Sequence, residues 1–227
     1  MRRLFGTDGI RGKANVYPMD ADTAFKVGVV SAHLSKDRTS APVIIIGRDT
    51  RLSGSMLEGA LAAGICAAGG EALIVGEIPT PGVAFLTRST DAEAGIVISA
   101  SHNPFVDNGI KLFNKSGFKL PDELELKIEE HMLDGDIRDY FVDPHEVGRV
   151  RYWPEGADLY KTNLGGVLEG RSLDGLKIAI DCANGAAWRI APGLFSSLGA
   201  QVTAIGIEPD GRNINKGCGS LHIEGLS

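Results

Sequence analysis

Three short, uniformly apolar runs constrain the fold of this chain more than any other feature. Pro42-Val43-Ile44-Ile45-Ile46-Gly47, Ala72-Leu73-Ile74-Val75-Gly76 and Ala94-Gly95-Ile96-Val97-Ile98 contain no alternating polar residues. A strand covered on one face alternates apolar with polar, whereas a strand covered on both faces reads as a continuous aliphatic run. Strands of the second kind belong to parallel sheets with helices on both sides. Between the first two runs, Ser53 to Gly69 is Ala-rich, places Met56, Ala60, Ala63 and Ala67 on one helical stripe, and stops at Gly69-Gly70. That pattern predicts a crossover helix. The fold class is therefore α/β, a mostly parallel sheet sandwiched between helices.

A further helix is predicted from Pro121, with Asp122 and Glu123 in its first turn, Leu124, Ile128 and Met132 recurring every fourth residue, and Gly135 as its stop. From Asp136 to about Pro154 the periodicity fades into interspersed Asp, Pro, Gly and Arg, read as an exit strand and linker. The domain boundary is placed there, giving a first domain over 1–153. A short helix from about Ala157 to Leu164, a strand over Leu176 to Ile180, a helix from Ala187 to Leu198 and a strand over Gln201 to Ile205 follow. These make half of a second α/β domain, 154–227. Roughly 70 residues are a thin α/β domain, and the chain stops at Ser227 with no terminating turn. The second domain is expected to be incomplete at its C-terminal end.

Composition narrows the function classes. The formal net charge of −6 over 227 residues provides no broad basic surface for nucleic acid or an anionic membrane. Cys66, Cys182 and Cys218 are odd in number and widely spaced, so neither a disulfide framework nor a zinc site is expected. The opening Met1-Arg2-Arg3-Leu4-Phe5 is interrupted at once by Gly6, Thr7 and Asp8, unlike a secretory signal. No run approaches the ~18 apolar residues of a membrane span. A cytoplasmic protein is expected.

The chemistry concentrates in Ser99-Ala100-Ser101-His102-Asn103-Pro104. Ser101 follows the buried strand ending at Ile98, so it emerges at a strand's carboxyl end, where open α/β sheets place their ligand crevices. Asn103-Pro104 is a turn signal that would expose the hydroxyl. A nucleophilic serine needs a proton acceptor or a charge-stabilising setting, and His102, Lys111 and Arg11 are the candidate suppliers. On the local pattern alone, serines that merely satisfy backbone groups at a turn are the stronger reading. Arg48, Asp49 and Arg51 end another buried strand, where bracing of loops is favoured over phosphate contact. The chain lacks a Gly-x-Ser-x-Gly elbow, a phosphate loop ending Gly-Lys-Ser/Thr, and Gly-x-Gly-x-x-Gly. Trp188 is read as core.

Taken in order, Phe5-Gly6-Thr7-Asp8-Gly9-Ile10-Arg11-Gly12, Gly47-Arg48-Asp49-Thr50-Arg51, and Ser99 to Pro104 followed by Asn108-Gly109-Ile110-Lys111 resemble the α-D-phosphohexomutase family. With Asp181-Cys182-Ala183-Asn184-Gly185-Ala186 and Asn213-Ile214-Asn215-x-x-Cys218-Gly219-Ser220, the chain is most similar to members acting on glucosamine phosphates. The resemblance implies a phosphoserine enzyme that interconverts glucosamine 6-phosphate and glucosamine 1-phosphate through bound glucosamine 1,6-bisphosphate. Ser101 matches the phosphoserine, Lys111 and His102 match positions of acid/base and phosphate contact, and Arg11 matches an arginine facing the phosphoserine. Magnesium (Mg2+) would bind the Ser101 phosphate. The family's Asp-Gly-Asp-Gly-Asp-Arg loop, which supplies the three metal aspartates, would fall beyond Ser227. Asp134-Gly135-Asp136-Ile137-Arg138-Asp139 only imitates it, lacking the middle Gly-Asp step and preceding the linker. The chain by itself is expected to be inactive. The partner expected is a small phosphosugar, with a homodimer as one assembly the sequence does not specify. A glucose or mannose phosphomutase of the same family is the nearest alternative, and a non-catalytic phosphosugar-binding module the alternative of another class.

Overall fold

The computed structural model describes residues 3–36 and 41–226; Met1, Arg2, Asp37 to Ser40 and Ser227 lie outside the described residues. The chain runs through β1 (Ile10–Lys13), α1 (Ala21–Ser35), β2 (Val43–Arg48), α2 (Gly54–Ala67), β3 (Glu71–Glu77), α3 (Thr80–Arg88) and β4 (Ala94–Ile98). It continues with β5 (Asp107–Asn114), α4 (Asp122–Leu133), β6 (Val150–Tyr152), α5 (Gly156–Gly166), β7 (Lys177–Asp181), α6 (Ala191–Ser197) and β8 (Gln201–Ile205). β1 to β6 form one sheet in the order β1-β5-β4-β2-β3-β6, and β7 pairs with β8 in a second, parallel sheet. In the larger sheet only β5 runs against its neighbours; β4, β2, β3 and β6 pair in parallel.

The continuous apolar runs are explained by cover on both faces. Ile44 and Ile46 of β2 pack with α1, α2 and α4, whereas Ile45 between them joins Val83 and Leu86 of α3 on the opposite face. All three isoleucines are fully buried, each contributing roughly 1.5–3 kcal/mol relative to exposure.

The Ser53 to Gly69 segment is helical, but its buried face is Leu57, Leu61, Gly64 and Ile65, with Ala63 exposed. The cause is a close backbone contact with α1. A Cβ on Gly28 would lie 2.3 Å from the Leu61 carbonyl oxygen, and one on Gly64 would lie 2.1 Å from that of Phe25. Two facing glycines thus set the helix register, which a count of apolar residues does not reveal. α6 begins at Ala191, not Ala187, because residues 185–190 are spent in turns closed by Trp188 N–H to Gly185 O and Ile190 N–H to Ala187 O. Pro192 then sits in the first helical turn, where its missing N–H costs nothing. The faded region holds two 3-10 turns, Ile137–Tyr140 and Pro144–Glu146, before β6 adds to the sheet edge beside β3. α5 packs back against α3, with Tyr160 in the same core as Val83 and Leu86.

The topology selects one end of the sheet. From β2 the chain crosses through α2 to β3 on one side, then returns through α3 to β4 on the other side of β2. The carboxyl ends of β2 and β4 therefore flank a topological switch point, where α/β sheets open a crevice between diverging loops. The loops leaving these two ends are Asp49 to Ser53 and Ser99 to Pro104.

Candidate functional site

Strand pairing continues one residue past β4, with the Ser99 N–H donating to Gly109 O at 2.8 Å. The chain then turns sharply. Asn103 N–H donates to Ala100 O at 3.1 Å, and Ser101 N–H donates to the Ser99 hydroxyl at 3.1 Å. Ser101 stands exposed in the turn at φ 54°. A serine in the left-handed region is strained by about 1–2 kcal/mol and persists only where surrounding contacts determine it.

Those contacts come from both sheets. Arg51 is 1% exposed, and its Nη2 donates to the carbonyl oxygens of Ser101 at 3.0 Å and Asn103 at 2.6 Å. Asp49 fixes Arg51 in turn, accepting from its backbone N–H at 3.0 Å and from its Nη1. The expected bracing role is thus met by Arg51 and Asp49. Arg48 reaches Glu77 at 3.1 Å and Glu58 at 3.4 Å and also donates from Nη1 to Asp49 O at 3.3 Å, making no bond to the serine turn. From the loop after β8, Asn215 Nδ2 donates to the same two carbonyls, at 2.9 Å to Ser101 and 3.0 Å to Asn103. The Asn213 to Ser220 loop, read from sequence as turn chemistry, therefore reaches the serine loop itself.

The two sheets meet at further points on this end. Thr50 Oγ1 donates to Asn184 O, Leu52 N–H donates to Gly211 O at 2.8 Å, and Trp188 Nε1 donates to Glu77 at 3.0 Å. Trp188 is half-buried at this seam with the Arg189 guanidinium 4.6 Å from its ring centroid, not in the core as its size suggested.

Register places the cationic residues. Arg11 lies opposite Gly109, Lys111 opposite Val97, and Ser99 is bonded to Gly109. Paired residues and residues two apart share a sheet face, so Arg11, Lys111 and Ser99 rise from the same side. Gly109 makes this approach feasible, since a Cβ there would lie 2.7 Å from Ser99 O and 3.3 Å from Arg11 Cγ. One oxygen of Asp8 joins the cations, 2.6 Å from Lys111 Nζ and 2.7 Å from Arg11 Nη2. Burial pushes the Asp8 carboxyl up, but Lys111 and Arg11 outweigh it and hold its pKa below the usual carboxylate range. Asp8 and Arg11 line an open cleft of about 360 Å³ together with Leu4, Gly6, Thr7 and Gly9. His102 is exposed in the turn and makes no hydrogen bond among the described residues. Structure thus brings Arg11 and Lys111 together through Asp8, with no hydrogen bond from His102 to any of the three.

The N-terminal side of this cleft is anchored from α4. Glu129, 2% exposed, accepts the backbone N–H groups of Arg3, Leu4 and Phe5 at 2.8, 2.8 and 2.7 Å. Arg3 also forks onto Asp134 at 2.9 and 2.6 Å. Asp136 is claimed by Arg138, whose hydrogen bonds pull its carboxyl down to about 2. The Asp134 to Asp139 run is therefore built from structural ion pairs. Sequence reasoning gave no role to Asp8, Asn215 or Glu129. The only signal for Glu129 was an acidic residue wedged between Ile128 and Met132 on the apolar stripe.

No grouping of three or more His, Cys, Asp or Glu able to hold a metal occurs among the described residues. A magnesium ion does not fit the side chains present as its own cage, since no cluster of carboxylates is gathered among the described residues.

The site is thus an exposed left-handed serine at a switch point, with an arginine and a lysine on the adjoining sheet face, an arrangement whose cations and loop can accommodate an anionic group. Residues 2–138 match the phosphoglucomutase/phosphomannomutase alpha/beta/alpha domain I, and the chain belongs to that family. Phosphoglucosamine mutase of Geotalea daltonii is 53% identical over all of this chain and 50% of its own length. That of Desulfotalea psychrophila is 53% identical over 99% of this chain and 50% of its own. The chain thus spans about half the length of the curated relatives it matches. A phosphoglucomutase/phosphomannomutase family protein from Burkholderia thailandensis superposes with TM-score 0.78 at 27% identity, over 92% of this chain and 44% of that one. A phosphomannomutase-like structure from Thermus thermophilus has the same fold, with TM-score 0.70 at 24% identity, over 92% of this chain and 46% of that one. No helix among the described residues is long and apolar enough to cross a membrane.

Proposed function

We propose that this chain furnishes the phosphoserine-bearing part of a phosphoglucosamine mutase, with Ser101 as the phosphoryl carrier. The observation that carries the reading is the exposed Ser101 at φ 54°, held in the switch-point turn on the same end of the sheet as Arg11 and Lys111. In the reaction, the Ser101 Oγ–P bond breaks as a sugar hydroxyl oxygen bonds phosphorus and loses its proton, giving glucosamine 1,6-bisphosphate. The sugar O–P bond of the other phosphoryl group then breaks as Ser101 Oγ bonds that phosphorus, the freed sugar oxygen takes back the proton, and the product leaves as the isomeric monophosphate.

A transferring phosphoryl spreads negative charge over its oxygens, so its transition state is favoured by fixed cations. Lys111 and Arg11 supply them, and Asp8 keeps both oriented. His102, exposed beside the serine, is the titratable group available for proton transfer at the sugar hydroxyl. Mg2+, held through the Ser101 phosphate and by ligands other than the described residues, would supply further charge neutralisation.

The names of relatives at about half identity support glucosamine as the sugar. The same names support a phosphosugar as the partner, and we read the protein as cytoplasmic, with a homodimer as one assembly. We also infer two units, 1–153 on the larger sheet and 154–227 carrying the β7–β8 sheet, with α5 of the second packed on α3 of the first.

The test has two arms. Protein purified from bacterial cells should carry phosphate on Ser101 by intact mass and peptide mapping; phosphate found only elsewhere overturns the assignment. Joined to the remaining half of the Geotalea daltonii relative, the chain should convert glucosamine 6-phosphate, and Ser101→Ala should lose at least about 1,000-fold in turnover. Near-normal turnover in that variant would make Ser99 the carrier.

A further inference from the structure

Asn215 lies 114 residues from Ser101 in sequence, yet its amide donates to Ser101 O at 2.9 Å and Asn103 O at 3.0 Å. Arg51 already donates to both oxygens, at 3.0 and 2.6 Å. Each carbonyl thus receives one donor from the β2 loop and one from the segment after β8. Asn215 is itself fixed, standing at φ 59° with its N–H donating to Ala183 O at 2.9 Å. Its loop is closed by Gly219 N–H onto the Asp181 carboxylate.

We infer that Asn215 is a positioning residue for phosphoryl transfer, which makes the left-handed Ser101 turn conditional on the second sheet being docked. The inference rests on the proposed role of Ser101. A carbonyl oxygen carries partial negative charge, and a phosphoserine carries about −1.5 to −2. Turning both carbonyls onto Arg51 and Asn215 keeps these dipoles from facing the phosphoryl group. Because a trans peptide sets N–H opposite C=O, the same latch points the His102 N–H away from Arg51 and Asn215 as a free donor. When the second sheet moves, Arg51 remains but half of the donors leave, and the strained turn loses part of what holds it. Asn215 thereby couples the arrangement of the two sheets to the readiness of the serine.

Three variants separate this from loosening of the seam. Asn215→Asp keeps the shape but sets a carboxylate oxygen against the two carbonyls. Asn215→Ala only removes the donor. Trp188→Phe breaks a different bond across the seam, the one to Glu77 at 3.0 Å, and leaves the serine turn alone. The first readout, in the chain joined to the remaining half of the Geotalea daltonii relative, is the rate at which Ser101 takes phosphate from glucosamine 1,6-bisphosphate with Mg2+, followed by intact mass. The second is amide exchange of Ser101 and Asn103, whose N–H groups are bonded within the turn, in unphosphorylated protein.

The expectation is a 10-fold or greater drop in maximal transfer rate for Asn215→Asp and a smaller drop for Asn215→Ala, with the half-saturating bisphosphate concentration unchanged. Amide exchange in the turn should rise at least 10-fold in both, and Trp188→Phe should match wild type in both readouts. Wild-type rates and exchange in Asn215→Asp would overturn the inference, as would equal losses in Trp188→Phe. If wild-type Ser101 takes no phosphate at all, the carrier assignment fails. The exchange comparison still decides whether Asn215 holds the turn, and no change there overturns that too.

Discussion

Glu129 offers the sharpest test of how the cleft is built. Its carboxylate receives three backbone N–H groups, two of them in fully buried bonds: Oε1 takes Leu4 and Phe5, and Oε2 takes Arg3. Glu129→Gln keeps the volume and one acceptor oxygen but removes the charge and turns an amide N–H₂ toward one of the donors. Hydrogen bonds to a charged group are worth about 1.5–3 kcal/mol each, and a buried donor left unpaired costs about 1–3 kcal/mol. These terms overlap, so the expected loss is about 2–4 kcal/mol at neutral pH, read from the urea midpoint with the slope unchanged. The pH dependence follows from the same geometry. Burial raises the Glu129 pKa, but the bonds from Phe5, Arg3 and Leu4 outweigh it and hold the folded-state value below the ordinary one. A carboxyl depressed on folding contributes stability that is complete above its unfolded pKa, about 4.3, and is lost as pH falls through the folded value. The gap between wild type and Glu129→Gln should therefore be full at pH 7 and shrink in acid. A loss below about 1 kcal/mol, or a gap that does not change with pH, would refute the reasoning.

Two more outcomes follow from the packing and the site. Gly64→Ala should destabilise by about 1–3 kcal/mol in urea unfolding because its Cβ meets the Phe25 backbone, whereas Gly59→Ala on the same helix, with nothing within 4 Å, should stabilise by up to about 1 kcal/mol. Lys111→Met leaves Arg11 as the cation on Asp8, so the Asp8 carboxyl, held low in wild type, should titrate at higher pH in a carbon-13 NMR titration; an unchanged midpoint would mean that Lys111 does not hold it.

The apolar runs at β2, β3 and β4 determined an α/β sheet covered on both faces, because burial on two sides erases polar alternation within a single short segment. Ser101 at a strand's carboxyl end and the Asn103-Pro104 turn were legible for the same reason, as both depend on neighbours a few residues away. What holds the turn in place was not legible. Asn215 meets Ser101 across 114 residues and Glu129 meets Leu4 across 125, and no local pattern records which distant donor a carbonyl or carboxylate will find. The α2 face is a middle case: its helix was plain, but the paired close approach at Gly28 and Gly64 moved the buried stripe onto Leu57 and Leu61. Asp8 was visible in sequence only as part of a motif, and its bridge between Arg11 and Lys111 needed β1 and β5 to pair in register. Periodicity and turn chemistry act along the chain and so can be read from it. The clamp around Ser101 acts across the chain, and only the tertiary structure, which sets β4 beside β2 in one sheet and lays the loop after β8 of the other against both ends, decided it.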